Sequence, residues 1–323
     1  MVTPLRLVSF TDIHSAELLA LEERTDAYAE DSTSEQTRRL YRSCWKQFVA
    51  WCEAVGLPYL PSSGEIVSKY LTYLADEGLS MSTIDQTMAG IVWFHQQAGY
   101  ESPRHHPRVR KVVRGIRRKI GVASKGKLPV MIDHLKVMIE HLRPGATGVR
   151  DRALLTLGFA GAFRRSEVIA LNVEDLKFTT EGLEVIIRRS KTDQEGKGRK
   201  IGIPYGSTPT LCPLRAVRAW LDLAKIETGS IFRRIDRHGN ISDKRLTSQT
   251  VALVIKYYAG LAGLDVKQYS GHSLRVGFVT VAFRAGKHEH SIMMQTGHKS
   301  TMMLRRYIRD GTLFEDNAAA GLL

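Results

Sequence analysis

Apolar residues recur at intervals of three and four through the first 120 positions, the spacing of an amphipathic helix rather than a strand. Thr33-Ser34-Glu35 predicts a helix start with Ser34 as N-cap, and Leu40, Trp45, Phe48, Val49 and Cys52 form its apolar stripe before Gly56-Leu57-Pro58 ends it. A second helix is predicted over Glu65 to Ala75, with Ile66, Val67, Tyr70, Leu71 and Leu74 on one face. Ser80-Met81-Ser82 opens a third, which runs through Ile84, Met88, Ile91, Trp93 and Phe94 to Gly99. The fourth, Arg108 to Ile120, presents Val109, Val112, Val113 and Ile116. Ahead of these, the acidic Ser15 to Glu30 patch reads as a helix of modest weight or a mobile leader.

Small and basic residues interrupt the pattern between Gly121 and Pro129, which predicts a linker. Helices resume over 132–142 and 148–159, and GAFRRSEVIALNVEDL reads as a turn into a helix ending near Asn172. The period then switches to two. Asp175 to Phe178, Leu183 to Arg188 and Lys200 to Pro204 are predicted strands, with the polar stretch 191–199 as a hairpin between the last two. Helices dominate from Pro213 onward. The fold class is therefore mainly α: a leader over 1–30, a helical bundle over 31–120, a linker over 121–129, and an α+β domain with a small antiparallel sheet over 130–323.

Composition narrows the partners. At 323 residues, 43% apolar and 25% charged, the chain accommodates two ordinary cores. No apolar run approaches the ~20 residues of a membrane span, and MVTPLRLVSF lacks the layout of a secretion signal. Cys44, Cys52 and Cys212 have no zinc-ligand spacing; Cys44 and Cys52 read as buried apolar fillers, and a reducing, intracellular setting is expected. The net charge is +14, and ten Lys or Arg with no acidic residue lie between Pro103 and Lys127. Such clustering predicts a polyanionic partner, nucleic acid ahead of an anionic membrane, since no Trp/Phe/Leu face accompanies it.

Candidate chemistry sits in four separated segments. His272 and Arg275, three apart, can turn two donors toward one anionic oxygen. Gly297-His298 follows, then Tyr307 among the arginines of LRRYIR. Arg164 and Glu167 are three apart near a helix start, so the carboxylate can brace a guanidinium; Arg165 is a rival. Lys191 lies in the hairpin, with Lys197 and Lys200 as alternatives. Taken singly, these are an ordinary helix face, a packed tyrosine, a surface ion pair and a solvated lysine. His288, His290 and His298 complete no metal-ligand set. Fixed guanidiniums stay charged and suit a phosphodiester that gains charge under attack. A phenol, with a pKa of about 10, needs such neighbours to become nucleophilic.

The order Arg-x-x-Glu, hairpin Lys, His-x-x-Arg, Gly-His, Tyr, and above all SGHSLRVG, resembles the tyrosine recombinases (the phage integrase family), and within them the Cre-like branch. The resemblance selects Arg164 over Arg165 and implies that Tyr307 is the nucleophile. Arg164, Arg275, His272 and His298 would hold the phosphate, Lys191 would protonate the leaving 5′-hydroxyl, and Glu167 would brace the site. It implies a 3′-phosphotyrosyl intermediate with neither metal, ATP nor other cofactor. Cre itself carries tryptophan where this chain has His298. The first domain is similar to the SAM-like core-binding domain of these enzymes, which implies DNA contacts from Arg39, Arg42, Ser82, Thr83 and Gln86. Arg114, Arg117, Arg118 and Lys119 would track phosphates, and Gln249 and Lys256 would contribute from the second domain. Serine capping by Ser80 or Ser82 is the plainer use of that stretch. The tail beyond Tyr307 is expected to dock on a neighbouring protomer in a DNA-bound tetramer, or to fold back on its own domain. No arm-binding domain is expected ahead of the core-binding domain, and the expectation is a simple Cre/Xer-type recombinase acting on double-stranded DNA in the cytoplasm or nucleoid. The alternatives are a catalytically silent DNA-binding regulator, a type IB topoisomerase and a telomere resolvase.

Overall fold

The computed structural model describes residues 15–121, 126–190, 193, 198–302, 304–305 and 307. The chain divides into two compact units, Met1–Lys125 and Gly126–Leu323. Among the described residues no helix is long and apolar enough to cross a membrane.

The first unit is helical. Helix α1 (Ser15–Asp31) leaves Leu18, Leu19 and Tyr28 exposed. The core comes from α2 (Glu35–Ala54), α3 (Gly64–Asp76), α4 (Met81–Gln97) and α5 (Pro107–Ile120), with α2 packed on α4 and α3 on α5. Each of α2, α3 and α4 starts on a serine whose Oγ accepts an N–H of the first turn: Ser34 from Thr37, Ser63 from Ile66, Ser80 from Thr83. Such caps satisfy donors that the helix leaves unpaired. Phe48, Cys52, Val67, Leu71, Ile84, Ile91 and Val109 fill the interior at the predicted spacing. Trp45 stacks on Phe94 at 4.7 Å, and His95 is buried with its two ring nitrogens on Ser62 N and Ile91 O.

The second unit starts with α6 (Ile132–Glu140), α7 (Gly145–Ala160) and the short α8 (Arg165–Ala170). An antiparallel sheet of β1 (Leu176–Phe178), β2 (Gly182–Ile187) and β3 (Arg199–Pro204) comes next, in that spatial order. Helix α9 (Pro213–Ala224) lies along α7 and buries Trp220, whose indole N–H donates to Ile231 O at 2.7 Å. Two short strands then pair antiparallel, β4 (Arg233–Ile235) with β5 (Ile241–Arg245), in the region beyond Pro213 where helices were expected to dominate and no strand was identified. Their residues, RRI and ISDKR, are too polar to show an alternating pattern, so hydropathy conceals them. Helices α10 (Ser248–Leu261), α11 (Ser273–Arg284) and α12 (Glu289–Thr296) complete the unit.

A buried carboxylate inside this unit is fully paired. Asp151 of α7 accepts from Arg150 at 2.8 and 3.0 Å and from the Tyr258 hydroxyl at 2.9 Å. One glycine permits a close approach of backbones. A Cβ on Gly277 would stand 1.9 Å from Val130 O, so only glycine lets α11 lie against the 127–130 segment. Val130 N donates to Ser273 O there, which fixes the start of α11 and the residues it carries.

Candidate active site

Three helix ends of the second unit converge. At the first, Arg164 immediately precedes α8, and the Glu167 carboxylate folds back over that end. Its Oε2 accepts the Arg164 backbone N–H at 2.9 Å and its Oε1 accepts the Arg164 guanidinium at 2.5 Å. Glu167 is fully enclosed while Arg164 keeps an opening to solvent. Arg165, the rival arginine, is exposed and lies across Gly271, where a Cβ would meet its Cδ.

The second end is the start of α11. His272 stands just ahead of the helix and Arg275 one turn in. Arg275 is only 1% exposed, so the pair is not the ordinary helix face that His272 and Arg275 would be if taken alone. One terminal nitrogen donates to Ala162 O at 2.7 Å and the other to His298 Nε2 at 3.0 Å, while Nε has no partner. Ala162 itself has φ of 48°, an unfavourable region for alanine, so the carbonyl that holds Arg275 is presented at a cost in backbone strain.

The third end is the close of α12. Gly297 adopts φ of 69°, the left-handed conformation that ends a helix, and turns the chain so that His298 reaches back inward. Thr296 Oγ donates to Ile292 O at 2.7 Å and therefore accepts from His298 Nδ1 at 2.9 Å. With Nδ1 protonated, Nε2 is left as the acceptor that Arg275 requires. The tautomer is thereby set by two neighbours.

Tyr307 closes the constellation. Its hydroxyl is 2.9 Å from His272 Nε2, and its ring lies 5.6 Å from the His272 ring and 5.7 Å from the His298 ring. Val279, Ile292 and Leu304 form a small apolar cluster behind it. Arg164, Glu167, His272, Arg275, His298 and Tyr307 are thus brought together. Lys191, and the tail beyond Tyr307, lie outside the described residues.

Burial and nearby positive charge set the protonation states. Burial first, then the Arg275, Arg164 and Arg165 charges, push His272 down to about 4; burial, Arg275 and Arg164 push His298 down to about 3. Burial and Arg164 bring Arg275 down to about 10, which leaves it charged at neutral pH. Both imidazoles are neutral in the free protein. An unfolded histidine protonates below about 6.5, so acid stabilises the unfolded chain while the fold refuses the protons. Stability present above pH 6.5 is lost as pH falls toward 4. Each histidine contributes a slope of about 1.4 kcal/mol per pH unit. Urea unfolding of the ligand-free protein between pH 6.5 and 5 should show this slope, and His298→Asn should remove one histidine's share. An unchanged slope in that variant would contradict the assignment.

Two residues were missed. Arg199, at the start of β3, donates to Glu167 Oε2 at 3.4 Å and to Gln295 O at 2.6 Å. A signal existed: it shares strand parity with the buried Ile201 and Ile203, and an arginine on the inward face of a strand is unusual. Thr296 was missed too, and no motif marks it.

Most of the residues proposed from sequence for DNA contact belong to the first unit. Arg39, Arg42, Ser82 and Gln86 are exposed on the first unit, although Arg39 pairs with Glu35 at 3.2 Å. Thr83 is half-buried, and its hydroxyl is bonded to the Ser80 cap at 3.0 Å, so capping claims it. Arg114, Arg117, Arg118 and Lys119 are exposed on α5, with Arg117 paired to Asp85 at 3.1 Å. Gln249 and Lys256 are both exposed on α10 of the second unit.

The Phage integrase family model matches residues 131–312. The chain is 40% identical to an integrase/recombinase XerD homolog from Selenomonas ruminantium over 294 residues, covering 90% of this chain and 86% of that protein. It is 24% identical to recombinase Cre of Escherichia phage P1, covering 86% and 84% of the two chains. Among solved structures, the Tn1549 transposon integrase in complex with transposon right end DNA has the same fold, with a TM-score of 0.59 at 15% identity over 90% of this chain and 95% of that one. The chain belongs to the phage integrase family of tyrosine recombinases.

Proposed function

We propose that the protein cleaves and rejoins duplex DNA at a specific site through a 3′-phosphotyrosyl intermediate, as a simple recombinase of the Cre/Xer kind. The observation that carries this reading is the meeting of one phenol with two guanidiniums and two neutral imidazoles. In the proposed step, the Tyr307 oxygen attacks the scissile phosphorus, the bond to the 5′-oxygen breaks, and the ester passes from sugar to tyrosine. His272 Nε2 takes the phenolic proton, and Lys191 delivers one to the departing 5′-oxygen. The number of ester bonds is unchanged, so the reversal needs no energy source. Arg164 and Arg275 would offset the charge that grows on the nonbridging oxygens. A bound phosphate would also counter the positive field that, together with burial, holds both imidazoles neutral.

The helical unit would supply the grip on DNA. Arg39, Arg42, Ser82 and Gln86 are available for groove contacts, and Arg114, Arg118 and Lys119 for phosphates, which position without reading sequence. Of the expected contacts, Thr83 is the weakest because it is spent on the cap. We place four protomers on the recombining pair of sites, joined by the tail beyond Tyr307.

The test is a library of duplexes with a randomised core and a nick, from which detergent-resistant protein–DNA adducts are recovered. Adducts sharing one inverted-repeat sequence and carrying a free 5′-hydroxyl are expected. Sequence-specific binding with no adduct would mean a silent regulator. Relaxation of any supercoiled plasmid without site preference would mean a topoisomerase.

A further inference from the structure

Arg199 is half-buried, and its Nε is enclosed at a cost. Its Nε has no hydrogen-bond partner, and burial lowers its pKa. An apolar side chain would suit that inward position of β3 better, since an unpaired buried donor is destabilising. What the arginine does there is bond to two other segments of the unit at once. One terminal nitrogen meets Glu167 Oε2, on the carboxylate that already holds Arg164. The other meets Gln295 O at 2.6 Å and Met294 O at 3.4 Å, in the last turn of α12, where helix carbonyls lack partners and favour a cation. The guanidinium also lies close against Gly297. A Cβ there would stand 2.9 Å from its Nε, so glycine is needed for this contact as well as for the turn. His298 is the next residue. Arg199 is itself the register partner of Ile187 in the sheet, and Gly198 before it donates to Asp193 at 2.7 Å. The β2–β3 connection, the Arg164–Glu167 pair and the Gly297–His298 turn therefore share one anchor.

We propose that Arg199 is a positioning residue that sets the Gly297–His298 turn against Glu167, and through His298 the aim of Arg275, without touching the reacting phosphate. This deepens the reading of the site given above and rests on it for the catalytic outcome.

Two variants test it, Arg199→Met, which fills the space without charge, and Arg199→Lys, which keeps charge without the fork. The first readout is single-turnover adduct formation on a nicked duplex that the wild-type protein attacks. Both variants should lose about 10- to 100-fold in rate, the scale of a displacement of an ångström or so, with DNA affinity within about threefold. The second readout needs no activity: nitrogen NMR of the His298 ring in the ligand-free protein. The wild type should show one tautomer, protonated at Nδ1, and Arg199→Met a mixture of two. Single-tautomer spectra in both variants, or rate losses that only follow the fraction of folded protein, would overturn the proposal. Should the wild type form no adduct, the recombinase reading fails while the NMR comparison still decides the role of Arg199.

Discussion

Replacing Tyr307 with phenylalanine is expected to abolish covalent attachment to DNA while leaving duplex binding intact. The ring would remain between His272 and His298 and against Leu304, since the apolar cluster behind it needs only the aromatic carbons. What disappears is the hydroxyl 2.9 Å from His272 Nε2. No other hydroxyl is brought to that imidazole nitrogen among the described contacts. The loss should be roughly 10⁴-fold or more, the scale on which removing a covalent nucleophile acts. Adduct yield on a nicked duplex, with binding measured in parallel by gel shift, checks both halves. An adduct at wild-type yield would mean that a different side chain attacks.

Arg275→Lys should have the next largest effect, and on two quantities at once. The guanidinium spans Ala162 O and His298 Nε2 with its two terminal nitrogens. An ammonium is a point charge on a flexible stem and cannot reproduce that fork. Adduct formation should fall by about 10²–10³, as when a fixed donor to a developing oxyanion is removed. Stability should drop by about 1–3 kcal/mol, because a buried carbonyl and a buried imidazole nitrogen lose their donor. Single-turnover rates and urea unfolding separate the two effects. Wild-type rates would show that net charge suffices and that the planar geometry is dispensable.

Much of the architecture was legible because it rests on local rules. Ser34 and Ser80 are serines followed by helical periodicity, and both cap the helices they were expected to start. The three-stranded sheet alternates well enough to be read, with Ile201 and Ile203 inward and Lys200 and Gly202 outward on β3. The β4–β5 pair was not legible, since Arg233, Arg245 and Asp243 are held by polar contacts that hydropathy does not register. Within the site, motif spacing brought the six central residues to notice. It could not reveal that Arg275 is buried. That depends on Gly277 letting α11 settle against Val130, a contact between segments far apart in the sequence. Arg199 and Thr296 escaped for a related reason. Each acts on another site residue through a bond that only the folded chain creates.

The phenol of Tyr307 reaches the imidazole of its own polypeptide. Under the proposed chemistry, every subunit thus sets its nucleophile among its own arginines, histidines and glutamate and borrows none of these five groups. Two differently crippled copies placed side by side would have no intact centre to share, so a lesion in this cluster stays with the copy that bears it.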